Sequence, residues 1–399
     1  MPRIARAGNM DGMSQRPPLA LPTLPAVLML VAALLVAGCA AQPAEVRVGF
    51  DAAGVTSIAA RGPADRRTGR RVTADDPVRI ASVSKLIVGL GVMRLVEAGR
   101  LDLDRDAGDY LGWPLRNPAF PDRAITLRLL LGHRSSLTDG ADYIVPLGGR
   151  VRDRLRDPRA WDPAHAPGSY FRYANLNFPV IGSIVERVTG ERFDRAMRRL
   201  VFEPLGVDAC FNWPTCPDAA VARAVVLYRA NGEVANDDLR GRRPECPVFS
   251  AGGCDLDAYR PGDNGALFSP QGGVRISMRG LARIGSMLLR RGDGFLRPAS
   301  IAELERATWV FDGANGDTSN GFYCRYGMAV QLLPTAVKGC ADDPFGGERV
   351  GHAGEAYGVR SGLWLDRAAG TGVAFFATAV PDGDKGRSAY SRAEERLGR

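Results

Sequence analysis

Ser82 and Lys85 lie three residues apart at the head of an apolar stretch, ASVSKLIVGLGVMRLVEAG, residues 81–99. On a helix that spacing puts a hydroxyl and an amine on one face. The hydroxyl would also sit at the helix start, where the macrodipole favours a developing negative charge. A serine is a weak nucleophile until a base takes its proton. A buried amine with a lowered pKa can be that base. A guanidinium cannot, because it does not deprotonate in proteins. The composition makes the amine conspicuous: Lys and Arg together number 52, yet the only lysines are Lys85, Lys338 and Lys385. Taken alone, Ser-x-x-Lys is also the pattern of a solvated lysine near a serine.

Two further motifs change that weighing. Tyr173 and Asn175 fall in APGSYFRYANLNF, a loop running into a helix, and His352, Ala353 and Gly354 fall in VGHAGEAYG, at the end of a strand. With VRIASVSK, LRLLLGHRSSL, QGGVRISMRGLARIGSMLL and GHAGEAYGVRSGLWLD around them, the set resembles the serine β-lactamase-like family. That family includes class C β-lactamases, DD-peptidases and related esterases. The resemblance runs from about residue 45 to 382. It implies an acyl-forming nucleophile at Ser82, with Lys85 taking or sharing its proton. It implies that Tyr173, as phenolate or through a proton shared with Lys85, completes the relay and later activates water. Asn175 would hold the substrate amide and Lys85, and His352, Ala353 and Gly354 would form the strand edging the cleft. The N–H groups of Ser82 and Glu355 would form the oxyanion hole. His133 resembles a structural loop of the family, and His165 has no assigned role.

The third motif departs from the family pattern. His352 stands where a lysine is usual, and Ala353 stands where a threonine or serine is usual. Those residues hold a substrate carboxylate, whereas histidine is at best partly charged near neutral pH and alanine offers no donor. The expected substrate is therefore a small ester, amide or peptide, with neutral esters favoured over penicillins or cephalosporins. A DD-peptidase or true β-lactamase is the alternative enzyme. A non-catalytic envelope binding protein is the alternative from another class, and the intact Ser82, Lys85 and Tyr173 argue against it. No cofactor is expected.

The elements that must position these residues read as an α+β domain. EVRVGFDAAGVTSIAARG suggests two short strands about a turn at 52–54. Helices are expected from Ser82 to Ala98, along LNFPVIGSIVERVTG with Gly190 as its C-terminal stop, and from an N-cap at Ser277 with Leu281, Ile284, Leu288 and Leu289 inward. YGMAVQLL, ERVGHAG, GVRSGLWLD and GVAFFATAV read as strands. The predicted architecture is a β-lactamase/transpeptidase-like antiparallel sheet flanked by helices. A mainly helical subdomain is expected over roughly 100–260, and the segment after Pro381 is too brief for a long packing helix. Trp113, Trp161 and Trp213 read as packing residues.

At 399 residues, 45% hydrophobic and 24% charged, the composition is globular. The net charge of +8 is spread among interleaved acids, with no basic run carrying aromatic partners, so nucleic-acid binding is not expected. Arg3, Arg6 and Arg16 precede the apolar run AVLMLVAALLVA, which ends in VAGC at Cys39. That run suits a signal-peptide core and is short for a membrane span. The VAGC resembles a bacterial lipobox, which implies removal of residues 1–39 and a lipid anchor at Cys39 holding residues 40–399 to the envelope membrane, facing the periplasm. An ordinary signal peptide with an incidental cysteine is the alternative. The six remaining cysteines, Cys210, Cys216, Cys246, Cys254, Cys324 and Cys340, suit disulfides in an exported chain. Local pairing, 210–216, 246–254 and 324–340, is the simplest of the arrangements open to them. A metal site is the competing reading, and the spacings with only three histidines disfavour it.

Overall fold

Strands at both ends of the chain meet in one antiparallel sheet. The structure is a computed structural model that describes residues 42–248 and 253–399. The expected leader and Cys39 lie outside the described residues. In chain order the strands used below are β1 (Glu45–Asp51), β2 (Val55–Arg61), β3 (Val78–Arg79), β4 (Ala209–Phe211), β5 (Val274–Ile276), β6 (Trp309–Val310), β7 (Arg325–Tyr326), β8 (Gln331–Leu333), β9 (Arg349–Ala356), β10 (Val359–Asp366) and β11 (Thr371–Ala377). The helices are α1 (Val83–Glu97), α2 (Asn177–Thr189), α3 (Met278–Leu289) and α4 (Arg392–Leu397). The main sheet has eight strands in the order β6-β7-β8-β9-β10-β11-β1-β2. A second sheet, β3-β5-β4, lies under the turn that carries Ser82.

Strand periodicity explains the layering. Side chains alternate across a strand. In β10, Val359, Leu363 and Leu365 join the main core with α1 and α3, while Trp364 joins a second cluster with Tyr390, Ala393 and Leu397 of the C-terminal segment. The sheet is thus covered on both faces, and nearly all of β10 is buried. The segment after Pro381 makes only the six-residue α4, capped reciprocally by Ser391 and Glu394. An ion pair of 2.7 Å between Arg396 and Glu45 ties α4 to β1.

Most expected elements are present, with one correction. YGMAVQLL is two strands, because the chain turns between β7 and β8 with Ala329 at φ 60°. The helix starts fall where expected: α1 begins just after Ser82, whose side chain makes no capping bond, and at the head of α3 the Ser277 hydroxyl accepts from the Gly280 N–H at 3.0 Å. Gly190 ends α2 at φ 75°. Residues 100–260 hold several short helices, but also β4 and long loops, so among the described residues there only α2 exceeds five residues as a continuous α-helix. The described residues form one compact unit. The cysteines pair as 210–216, 246–254 and 324–340, which commits all six sulfurs to disulfides.

Helix α3 packs tightly on the sheet through glycine. A Cβ on Gly285 of α3 would fall 2.2 Å from the ring of Phe50 in β1, and one on Gly372 of β11 would fall 2.4 Å from the same ring. Ala at position 285 would gain about 1 kcal/mol of helix propensity. It would lose more by overpacking a ring that is 1% exposed. Gly285→Ala is therefore expected to destabilise by about 1–2 kcal/mol net, read from the urea midpoint. A variant as stable as the parent would show that this layer can open freely.

Candidate active site

The turn into α1 is held from below and from the side. Ala81 sits at φ 45°, an uncommon conformation for a residue with a Cβ, immediately before Ser82. β9 runs close against this turn because Gly354 has no side chain: a Cβ there would lie 2.4 Å from Ile80 O and 3.2 Å from the Ser82 nitrogen. The Ser361 hydroxyl also donates to Ile80 O at 2.8 Å. Among the described residues nothing accepts the Ser82 N–H, so that donor faces the cleft at a helix N-terminus.

Lys85 is wholly buried one turn further on. Its Nζ lies 2.9 Å from Ser82 Oγ, 2.8 Å from Asn175 Oδ1 and 2.8 Å from Gln271 O. Burial lowers the amine to about 7, against an opposing pull from Asp139. Two of its three partners are carbonyl oxygens, which can only accept. A neutral amine has two N–H bonds and one lone pair. With both N–H bonds directed to carbonyls, the lone pair is left facing the one neighbour with a proton to give, the Ser82 hydroxyl.

The orientation of Asn175 decides that arrangement, and Asp139 sets it. Asp139 accepts from the Asn175 backbone N–H at 3.0 Å, from Asn175 Nδ2 at 2.9 Å and from the Leu176 N–H at 3.0 Å. Because a carboxylate only accepts, the amide NH₂ must face Asp139 and the amide oxygen must face Lys85. Asp139 was not singled out in the sequence, where Asp-Gly marks only a turn. The Gln271 carbonyl was equally hidden, although the Gly-Gly pair after it signals close backbone approach: a Cβ on Gly273 would meet Phe268 O at 2.6 Å.

Tyr173 is clamped between rings. His133 stacks on it at 4.3 Å and Tyr323 at 4.4 Å on interplanar angles of 27° and 12°. Burial pushes its phenol well above the usual range, while the Ser82 and Tyr323 hydroxyls beside it oppose the rise. Its hydroxyl is buried and makes no aligned hydrogen bond. The Lys85 ammonium position lies 4.9 Å from its ring centre. His133 is neutral, held well below its ordinary value by burial, Lys85 and His352. Its Nδ1 accepts from the Ala174 N–H at 3.1 Å, with φ 55° at His133 itself. Tyr323 precedes Cys324, whose disulfide to Cys340 fixes that segment. Nothing in the sequence pattern marked Tyr323 as a neighbour of Tyr173.

His352 is where expectation and structure part. Its side chain is fully buried, not on the cleft surface: Nε2 lies 2.8 Å from the Tyr326 hydroxyl and Nδ1 lies 2.5 Å from Ala353 O. Burial and Lys85 lower it to about 3, so it is neutral at ordinary pH. Strand alternation turns Ala353 and Glu355 toward the cleft instead. Glu355 is exposed and pairs with Arg360 at 2.8 Å. The cleft encloses about 1660 Å³ and opens over Ser82, Tyr173, Asn175 and the 353–357 segment. Trp161 is a packing residue, its indole donating to Leu155 O at 2.9 Å, and Trp113 is partly buried beneath Arg152. Trp213 is packed and also reaches the cleft wall. His165 pairs with Asp162 at 2.9 Å, and neither residue lines the cleft.

Fold and site together define a serine hydrolase class with a lysine beside the nucleophile position. The chain belongs to the beta-lactamase family, whose description matches residues 46–397. It is 30% identical over 351 residues to the esterase EstB of Burkholderia gladioli, covering 82% of this chain and 83% of that protein. Among solved structures it resembles EstCE1, described as a hydrolase with promiscuous acyltransferase activity, with a TM-score of 0.65, 22% identity and coverage of 93% and 95%. It also resembles the D-amino acid amidase of Ochrobactrum anthropi SV3, with a TM-score of 0.64, 19% identity and coverage of 91% and 94%. Those two likenesses establish the fold.

Asp139 touches no reacting atom, so its effect should be one of position. Asp139→Ala frees the Asn175 amide to turn and the loop to shift. Ester turnover is expected to fall about 10²-fold, with Asp139→Asn intermediate. Full activity in both variants, measured as kcat/KM, would mean that Asn175 is held by other contacts.

Proposed function

We propose that this protein hydrolyses esters or amides through an acyl-enzyme on Ser82. The observation that carries the proposal is the buried Lys85 amine, its lone pair left for Ser82 by two carbonyl acceptors. In the first half-reaction the neutral amine takes the Oγ proton while Oγ bonds to the substrate carbonyl carbon. Negative charge gathers on the carbonyl oxygen, where the free Ser82 N–H stabilises it, with the Glu355 N–H as second donor. The tetrahedral intermediate collapses, the bond to the alcohol or amine breaks, and the leaving group takes up a proton. Tyr173 is suited to pass that proton on: its raised pKa keeps it a phenol, and its hydroxyl lies beside those of Ser82 and Tyr323. It therefore acts as a shuttle rather than as a standing phenolate. In the second half-reaction water gives its proton to the same relay, attacks the acyl carbon and releases a carboxylic acid with Ser82 restored.

The kinship to an esterase over most of both chains supports esters as the first substrate class. The neutral, buried His352 offers no cation for a carboxylate on β9, which sets the cleft apart from the family pattern implied for penicillins. Export and a lipid anchor at Cys39 belong to the same proposal. They are supported by the apolar run ending in VAGC and by three disulfides, which suit an oxidising compartment.

A fluorophosphonate probe should label Ser82, located by peptide mass. An adduct elsewhere, or none on folded protein, removes the nucleophile. The amine must be neutral to act, so kcat/KM for a p-nitrophenyl ester should rise about tenfold per pH unit below pH 7. It should level above the Lys85 value of about 7. Lys85→Arg should lose about 10²-fold or more and with it that acid limb. Activity within about threefold of the parent would reduce the amine to a fixed charge.

A further inference from the structure

Four cationic side chains line the cleft: Arg79, Arg275, Arg360 and Lys385. Three of them are accounted for. Arg275 is buried and bonded to Asp237 at 2.8 and 3.2 Å and to Asn212 at 2.5 Å. Arg360 pairs with Glu355 at 2.8 Å and faces Glu394 at 4.0 Å. Lys385 is exposed to water. Arg79 differs. It lies on β3, three residues before Ser82, and among the described residues its guanidinium has no ion pair and no hydrogen bond, while its Nε is buried without a partner.

The surroundings hold that guanidinium in place without neutralising it. Its Cζ sits 4.9 Å over the Tyr357 ring, which leaves the N–H edge of the fork free. Tyr357 itself is at the turn between β9 and β10, at φ 56°. The acid that acts on it is Asp237, already engaged by Arg275 and by the Trp213 indole at 2.8 Å. Burial and Arg275 lower Arg79 to about 10, which leaves it charged at neutral pH. Two guanidiniums and one carboxylate therefore share this wall, beside the phenols of Tyr143 and Tyr357. Arg79 as a whole is half-buried, with its Nε shut off from water, and a partly desolvated charge without a partner is costly. An anion entering the cleft would supply the partner, and a planar fork matches a carboxylate in two parallel hydrogen bonds.

We infer that Arg79 forms a carboxylate subsite, and that the preferred substrates are esters or amides carrying a carboxylate on the arm that reaches Tyr143 and Tyr357. The inference rests on the hydrolase reading above but adds a substrate class to it. It also relocates the cation of the cleft: β9, where the family pattern would place it, contributes a neutral His352, and the charge comes from the strand ahead of the nucleophile. A single monoanion fits the single uncompensated charge better than a phosphate dianion does.

The test compares matched p-nitrophenyl esters on the full chain. Half-esters of four-, five- and six-carbon diacids are set against the neutral acyl esters of the same length, and 4-carboxyphenyl butyrate against phenyl butyrate. In the wild type at least one charged ester should exceed its neutral partner in kcat/KM by about tenfold. Arg79→Gln should abolish that ratio and Arg79→Lys should keep part of it, with the difference in KM. Glutarate should inhibit wild type competitively and Arg79→Gln at least tenfold less well. A wild-type ratio at or below one for every pair overturns the subsite whether or not the variants fold. A ratio unchanged in folded Arg79→Gln also overturns it and leaves Arg79 a structural stack on Tyr357. No turnover of any ester together with no fluorophosphonate adduct would instead overturn the hydrolase reading itself.

Discussion

Everything in the site depends on keeping one amine dry. Lys85 is fully buried beneath the cleft floor, and an ammonium there is disfavoured by the loss of water. Its three oxygen neighbours come from distant parts of the chain: the start of α1, the loop before α2 and the loop before β5. Each must be in register for the amine to share a proton with Ser82. Asp139 adds a fourth segment, because it alone fixes which end of the Asn175 amide faces the lysine. The fold is in this sense a device for bringing four loops to one nitrogen while keeping solvent out.

The packing around the site follows from the same demand. β9 can pass beside the nucleophile turn only because Gly354 is a glycine, and the sheet can press against α3 only because Gly285 and Gly372 admit Phe50. Neutral rings close the remaining sides. His133, Tyr323 and Tyr326 surround Tyr173 and His352 without adding charge, and burial keeps both imidazoles uncharged. An additional fixed cation near Lys85 would lower the amine further and oppose the charge it acquires during proton transfer. A neutral His352 on β9 is consistent with that constraint, and it leaves positive charge to the paired strands β3 and β5, at Arg79 and Arg275, where Asp237 is bonded to only one of the two.

The Ser-x-x-Lys pair, the Tyr-x-Asn loop and the strand containing His352 were readable in sequence because their chemistry requires particular residue types at short spacing. The helix start at Ser277 and the stop at Gly190 were readable because caps are local. The disulfide pairs coincide with the local pairing considered among several. Asp139, Gln271 and Tyr323 were not readable. One is an ordinary Asp-Gly turn, the second acts through a backbone carbonyl, and the third is one tyrosine among 10.

By itself the sequence determined which groups could react and the elements they begin or end, since hydroxyl, amine and phenol chemistry and capping are properties of residue type and near neighbours. Tertiary structure alone decided the protonation states and the direction in which each group faces. Burial sets the Lys85 amine near 7 and the His352 imidazole near 3, and no local pattern reports burial. The same holds for charge balance. Arg79 looks like any of the many arginines until the fold places it against Tyr357 with Asp237 already taken by Arg275. Solvation and pairing are sums over residues far apart in the chain, so they exist only once the chain has folded.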